Sequence, residues 1–436
     1  MVSIRTGLGG LLVLLLSSAQ AAVEDPTIGS QVTVHPTSHE KDFRVKVESG
    51  GLTHELRLHL SDNFVSQDFV IGHVNEDGSL TSKKHQPARC HYDGSVVGAE
   101  GSRAAISTCN GFLEGFYDIS GIRSTLHAVK LLPGASVQAN VQRANITATT
   151  IRLAKQHHGL SGTTAKRLPT SAEPSAQEAG AIDRRALQEH CGVTTSVTPC
   201  CYDTCVSCTM NTDVKIVEVS LVTDAYWHQM YGATNDRAMS VFHMAAALYE
   251  AASFSPRIRL QLKAWIPFNT STPSSVVPPP ITCNCQGCVS GNSFVDDELY
   301  LNRIGDYRRV LSDALKGDTT QFLTGHDLAY PTGGEVCPDP TGIANMGQIC
   351  DSSASIGVNE DLFGETAVYA AETIAHEIGH VLGALHDGSG PDLNSAPWYS
   401  QGTAKCDAKA SIMASYGYPA NRLTEFSECS IEAVNK

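Results

Sequence analysis

Nowhere in the 436 residues is there a run rich in lysine or arginine, and the formal net charge is −14. Phosphate binding depends on clustered cationic side chains, so a nucleic-acid binder is disfavoured. Beyond the N-terminal leader no segment is apolar enough to cross a membrane, which predicts a soluble mature protein with no membrane span. Charged residues are scarce, at 17%, while apolar ones reach 42%; that balance suits packed domains rather than a disordered chain. No internal repeat is present, and the length leaves room for more than one domain, each with its own core.

What the chain does have begins with a leader. One positive charge within Met1 to Arg5 precedes the apolar run Leu8 to Leu16, and Ala19-Gln20-Ala21 follows. The run is too short to span a bilayer, and small residues stand at both positions a signal peptidase reads. Residues 1–21 therefore read as a cleaved signal peptide, and the protein as secreted and extracellular. Fourteen cysteines agree with an oxidising compartment. Asn145-Ile146-Thr147 and Asn269-Thr270-Ser271 are acceptors compatible with glycosylation.

Residues from about 30 to 135 read as all-β. Alternation in Phe43-Arg44-Val45-Lys46-Val47 and in Leu56-Arg57-Leu58-His59-Leu60 puts apolar side chains on one face. Cys90 and Cys109 bracket a stretch that a disulfide could close. From 150 to 190 the composition turns to Ser, Thr, Ala, Gln and charge, with Lys166-Arg167 and Arg184-Arg185 inside it. That is the composition of an exposed, protease-accessible connector. A second domain begins near Val214. A buried strand over Lys215 to Asp224, a helix from about Asn235 to Ala252 and a strand over Ile258 to Leu262 predict a mixed α/β fold. Residues 267–298 form a Pro/Ser/Thr-rich insertion holding Cys283, Cys285 and Cys288. A further helix is expected near Glu298 to Leu315.

The chemistry concentrates in Thr366 to Asp387. Thr366 to Leu382 lacks proline, and its helical pattern places His376 and His380 four residues apart on one face. Two imidazoles so placed suit tetrahedral zinc, which needs one more protein ligand and keeps a position for water. Glu377 adjoins the first histidine and can take a proton from that water as it attacks a peptide carbonyl. Gly383 can adopt the left-handed conformation that ends a helix and reverses the chain. His386 can then return as third ligand. The whole pattern, His376-Glu377-x-x-His380-x-x-Gly383-x-x-His386-Asp387, points to a zinc metalloendopeptidase acting on protein or peptide substrates.

On these residues the chain resembles the metzincins, and within them the adamalysin (reprolysin, ADAM-like) family, whose mark is Asp387 after the third histidine. Ala410 to Ser415 resembles the family's methionine turn, with Met413 as apolar floor beneath the zinc ligands. Phe426-Ser427-Glu428-Cys429-Ser430 resembles its C-terminal signature, and Leu323 to Asp327 and Gly342 to Cys350 match segments leading to the edge strand. The resemblance implies a mixed, mostly parallel sheet with the active-site helix beneath a cleft. Substrate would then lie extended along the edge near Gly342 to Gln348. The chain divides accordingly into signal peptide 1–21, β-rich prodomain 22–195 and catalytic domain 196–436. The disintegrin-like and membrane-spanning parts common in that family are expected to be absent, because the chain ends soon after Cys429.

Further expectations rest on the same resemblance. Cys350 pairs with Cys429, and Cys337 is an available partner for Cys406. Glu218, Asp318 and the carbonyl of Cys429 stand where the family often holds structural calcium. Cys191-Gly192-Val193-Thr194 resembles a cysteine switch, in which the Cys191 thiolate takes the open zinc position; a further disulfide cysteine is the other reading. No dibasic pair separates Cys191 from Val214, so cutting at Arg184-Arg185 would leave that cysteine attached. The cluster Cys200, Cys201, Cys205 and Cys208 is expected to bridge to the cysteines of the insertion. The rival class is a catalytically silent secreted binding or adhesion protein that keeps the fold.

Overall fold

The computed structural model of the chain describes residues 30–34, 41–49, 52–75, 79–109, 112–130, 137–139, 141–143, 214–232, 236–269, 271–285, 288, 292–338, 340–362, 366–387, 406, 411–414 and 425–435. The leader 1–21, the dibasic connector, Cys191, the cluster Cys200 to Cys208 and the acceptor Asn145 lie outside them.

The N-terminal part is all-β, as its alternation predicts. Strands β1 (Ser30–Val34), β2 (Asp42–Ser49), β3 (Leu52–Leu60), β4 (Val65–Val74), β5 (Leu80–Lys84) and β6 (His91–Val96) come first. They are followed by β7 (Arg103–Ser107), β8 (Phe112–Ile119), β9 (Ile122–Lys130), β10 (Val137–Ala139) and β11 (Val141–Arg143). Nine of these form one sheet in the order β10-β1-β2-β3-β6-β7-β8-β9-β11. In β3, Leu56 and Leu58 are buried while Arg57 and His59 are exposed; with Tyr92, Ile106, Tyr117 and Leu126 they make its core. Cys90 and Cys109 are bridged, with Cα atoms 5.1 Å apart.

The C-terminal part is mixed α/β. Its elements are β12 (Lys215–Thr223), α1 (Ala225–Tyr231), α2 (Asp236–Glu250), β13 (Ile258–Pro267), β14 (Phe294–Asp296), α3 (Asp297–Val310) and β15 (Thr319–Thr324). Then come β16 (Asp327–Thr332), β17 (Glu335–Pro338), β18 (Gly342–Ala344), β19 (Ile356–Glu360), α4 (Ala367–Val381) and α5 (Glu428–Val434). Strands β12, β13, β15 and β19 run parallel, and β18 closes one edge antiparallel. Strands β15 and β19 are buried along their whole length, on both faces, as a sheet between two helix layers is. Helices α2 and α4 share one core with Val219, Leu221 and Leu260; Tyr300, Leu301 and Ile304 of α3 join Val222, Phe322 and Val358 in the other. No described helix is long and apolar enough to cross a membrane.

The boundary between sheets does not follow the boundary between these halves. The order of the second sheet is β18-β19-β15-β12-β13-β4-β5, so a hairpin from the N-terminal part completes it. Strand β13 runs on to Pro267, past the expected Leu262, because Ala264 to Ile266 are buried between β12 and β4. Helix α3 stops at Val310, short of Leu315, where Leu311 takes an extended conformation.

The disulfides correct the expected pairings. Cys283 bridges Cys288 within the insertion, and Cys285 bridges Cys337 of β17. The insertion is held against β17 by Asn284, whose N–H donates to the Val336 carbonyl at 3.1 Å and whose Oδ1 accepts the Val336 N–H at 2.7 Å. That neighbour, rather than the domain's N-terminus, receives its cysteine, and Cys337 is therefore not the partner of Cys406. Cys429 bridges Cys406, with Cα atoms 6.3 Å apart, so the expected Cys350–Cys429 pair does not form. Cys350 lies beside Asp318 instead, Sγ to Oδ1 3.8 Å, and is bridged elsewhere.

Candidate metal centre

Helix α4 starts where Thr366 caps it, the hydroxyl accepting the Tyr369 N–H at 3.2 Å, an arrangement that satisfies one of the open N–H groups of the first turn. Ala367, Ala370, Ala371, Ile374, Ala375 and Ile378 are buried, so small and apolar positions seat the helix against α2 and the sheet. It ends at Leu382, and Gly383 follows at φ 105°. The Gly383 N–H reaches the His380 carbonyl at 2.9 Å, and the Ala384 N–H reaches the Gly379 carbonyl at 2.8 Å. A side chain at that φ would be strained, which is the use of glycine here.

The reversal brings His386 back to the helix. Its Nε2 lies 3.1 Å from Nε2 of His376 and 3.1 Å from Nε2 of His380. On the far side of the rings, Nδ1 of His376 donates to the Ile412 carbonyl at 2.6 Å and Nδ1 of His380 to the Ala384 carbonyl at 2.8 Å. A carbonyl can only accept, so those Nδ1 atoms carry the hydrogens and the paired Nε2 atoms present lone pairs. Burial holds His380 down to about 4; burial, with His380 adding to it, holds His386 down to about 3. Neutral imidazole is the form that ligates a metal. With Nε2 of His386 also unprotonated, the three lone pairs would repel unless a cation lay among them. Tetrahedral zinc with bonds of about 2.0 Å would set its nitrogens roughly 3.3 Å apart, close to the spacing found. The donor set fits zinc.

Glu377 is buried, and its Oε2 has no hydrogen-bond partner among the described residues. Burial pushes its carboxyl well above the usual range. Strand β18 passes directly over it: a Cβ on Gly342 would stand 2.6 Å from Oε1 of Glu377 and 2.8 Å from Cγ2 of Thr373. Below the helix, a Cβ on Gly379 would stand 2.5 Å from Sδ of Met413. The buried Met413 thus lies against α4 one residue before His380. The loop after β18 is tied to the helix end, Gly347 N–H to the His380 carbonyl at 2.8 Å.

Asp387 is almost fully buried and fixes the third histidine from behind. Its N–H donates to the Met413 carbonyl at 2.9 Å. Its carboxylate accepts the hydroxyls of Ser411, of Ser427 at 2.7 Å and of Ser430 at 3.5 Å. One carboxylate therefore joins His386, the methionine turn and the cap of α5. The sequence motif marks Asp387 and Met413; the three serines and Gly342 carry no signal beyond lying in the same short segments.

Of the residues expected at a calcium site, Glu218 and Asp318 are neighbours. Glu218 pairs with Lys263, Oε2 to Nζ 2.7 Å, and its N–H donates to Oδ2 of Asp318 at 2.9 Å. The side chain of Cys429 lies with Asp387 and Cys406, and no grouping of ligand-type side chains among the described residues contains Glu218 or Asp318. Cys191 lies outside the described residues.

Residues 212–427 match Metallo-peptidase family M12, and residues 22–97 match the Reprolysin family propeptide. The chain is 27% identical over 394 residues to human "A disintegrin and metalloproteinase with thrombospondin motifs 8", covering 86% of this chain and 40% of that protein. It is 25% identical over 406 residues to human "A disintegrin and metalloproteinase with thrombospondin motifs 1", covering 86% and 39%. It thus spans about two fifths of the length of those relatives. A third, "A disintegrin and metalloproteinase with thrombospondin motifs gon-1" of Caenorhabditis elegans, is 30% identical over 172 residues, 39% of this chain and 7% of that one.

Proposed function

Because the chain belongs to the reprolysin branch of metallo-peptidase family M12, with a reprolysin propeptide ahead of the peptidase part, we propose that it is a secreted zinc endopeptidase, made as a zymogen, that cleaves protein substrates. One observation carries the reading. Nε2 of His386 stands 3.1 Å from Nε2 of both His376 and His380, and Glu377, next to His376, has a buried Oε2 without a hydrogen-bond partner among the described residues. His376, His380 and His386 would hold the zinc, their rings steered by the carbonyls of Ile412 and Ala384 and by Asp387. A bound zinc supplies the Lewis acidity that polarises the scissile carbonyl and acidifies the attacking water. Glu377 accepts that water's proton and delivers it to the leaving amine. Strand β18 offers its outer edge to an extended substrate, which fixes the peptide's direction across the site.

Secretion rests on the leader 1–21, and latency on Cys191. The test is cleavage of a denatured protein by the purified protein cut between Cys191 and Val214, with and without a zinc chelator. Activity should vanish with the chelator and return with zinc, and Glu377→Gln should lower the rate by on the order of 100-fold to 10,000-fold. Metal-loaded protein that cuts nothing, indistinguishable from Glu377→Gln, would leave the silent binding protein as the reading. In the uncut chain, Cys191→Ser should raise the basal rate; an unchanged rate removes the switch.

A further inference from the structure

The propeptide and the peptidase part share a sheet, a core and buried charges. Strand β4 runs parallel to β13, with Leu262 opposite Val65, Ala264 opposite Val70 and Trp265 opposite Ile71. The Leu262 N–H donates to the Phe64 carbonyl at 2.8 Å. Phe64, Val65, Phe69, Ala105 and Phe116 of the propeptide belong to the same apolar cluster as Val219, Leu260 and Ala371 of the peptidase part.

The charges lie on the helices. Arg123 of β9 is buried, with Nη1 2.6 Å from Oε1 of Glu372 on α4 and Nε 3.0 Å from Oδ1 of Asp118. Oε1 of Glu114 on β8 accepts from Arg237 Nη1 at 3.0 Å and from the Ala367 N–H, the first of α4, at 3.2 Å. Ser240 of α2 donates to Ser107 at 2.7 Å, and Nε2 of His243 stands 2.9 Å from Oδ1 of Asp93.

We infer that the folded propeptide is a lasting subunit of the working enzyme: once the connector is cut, residues 30–143 stay in the sheet as a second chain. Leaving would strip β13 of its partner along one edge, expose the phenylalanines of a common core and strand Glu372 without its cation. These contacts grip β13 and the first two turns of α4. The histidines stand at the other end of that helix, so retention does not require the folded body to fill the cleft. The activity arm rests on the proposed peptidase function; retention does not.

The experiment uses the full chain carrying a site for a sequence-specific protease between Cys191 and Cys200, so that the cut parts Cys191 from the peptidase segment. After cutting, the two pieces should co-elute on gel filtration at physiological salt and separate only in denaturant. Peptidase activity should travel with the two-chain species. Separate elution of a monodisperse peptidase part overturns the inference, and so does a co-eluting complex that becomes active only when the propeptide is stripped away. Co-elution with no activity in any fraction upholds the retained strand and sinks the peptidase reading instead. Arg123→Ala should weaken retention on the order of 100-fold, because it removes the buried cation that meets Glu372 across the interface. Should that variant fail to fold, Ser107→Ala, which removes one interfacial hydrogen bond, should weaken retention several-fold. An unchanged dissociation rate in both variants would also overturn it.

Discussion

The two ends of helix α4 are built by different means. At its C-terminal end the partners of the candidate metal ligands are near in the chain: His380 bonds the Ala384 carbonyl, His386 returns six residues after His380, and His376 bonds the Ile412 carbonyl 36 residues on. At its N-terminal end the partners come from the N-terminal all-β part. Ala367 bonds Glu114 across 253 residues, and Glu372 meets Arg123 across 249. The first end is held by one glycine turn and by hydrogen bonds to carbonyls and to the Asp387 carboxylate, the second by buried ion pairs. The three histidines lie in one segment and are fixed by its spacing, whereas a docking face depends on the whole fold.

Removing the buried cation should give the largest effect on stability. Arg123 serves both Asp118 and Glu372, and its guanidinium also lies 4.0 Å from the Phe116 ring centre. Arg123→Ala should destabilise the uncut chain by about 3–5 kcal/mol, the range for breaking a buried pair by deleting one member. Denaturant unfolding measures it. A loss under about 1 kcal/mol, as for an exposed pair, would mean that the N-terminal end of α4 is not held by charge and would break the comparison.

The same contrast governs what could be read from the residues. His376, His380, Gly383 and His386 were legible because 3.6-residue periodicity and one left-handed turn decide where their side chains go. The all-β propeptide and the strands flanking α2 were legible for a similar reason, since alternation is local. The placement of β4 in the second sheet was not: nothing in Val65 to Val74 distinguishes pairing with β13 from pairing with its own neighbours. The cysteine pairings failed likewise, because Cys285 finds Cys337 through the packing of the insertion on β17, which spacing does not encode. Arg123 and Glu114 look in sequence like ordinary charges on a half-exposed strand.

A middle-sized effect should come from the C-terminal end, and it should fall on activity rather than on folding. Gly342→Ala puts a methyl 2.6 Å from Oε1 of Glu377 and 2.8 Å from Cγ2 of Thr373. Thr373 is β-branched and stiff, so Glu377 or β18 must shift, at a cost of about 1–3 kcal/mol. If most of that cost displaces the catalytic carboxylate, kcat/KM drops by roughly tenfold or more. The unfolding midpoint should move less than for Arg123→Ala. Full activity in Gly342→Ala would show that the edge strand has slack over Glu377, and that this end is less tightly built than the geometry states.

The smallest effect sharpens the propeptide side through pH. His91 of β6 is buried beside His243 of α2, ring centres 5.4 Å apart, with Phe64 against both rings. Asp93 faces the same pair, and Cys109 Sγ lies 3.5 Å from Nε2 of His91. Burial, then the neighbouring His243, hold His91 well below its ordinary 6.5, with Asp93 acting the other way. A histidine held low is neutral when folded and takes up a proton when exposed. Its contribution is therefore complete above pH 6.5 and is lost as pH falls below that value toward the folded pKa. At pH 5.5 the expected loss is about 1.4 kcal/mol relative to neutral pH. The measurement is the difference in unfolding free energy between pH 7.5 and 5.5, compared with His91→Gln, so that other titrating groups cancel. A variant as pH-sensitive as the parent would mean that His91 gains a stabilising partner on protonation. Asp93 is the group that faces it, and the propeptide side would then be held by one more charge pair than the neutral form shows.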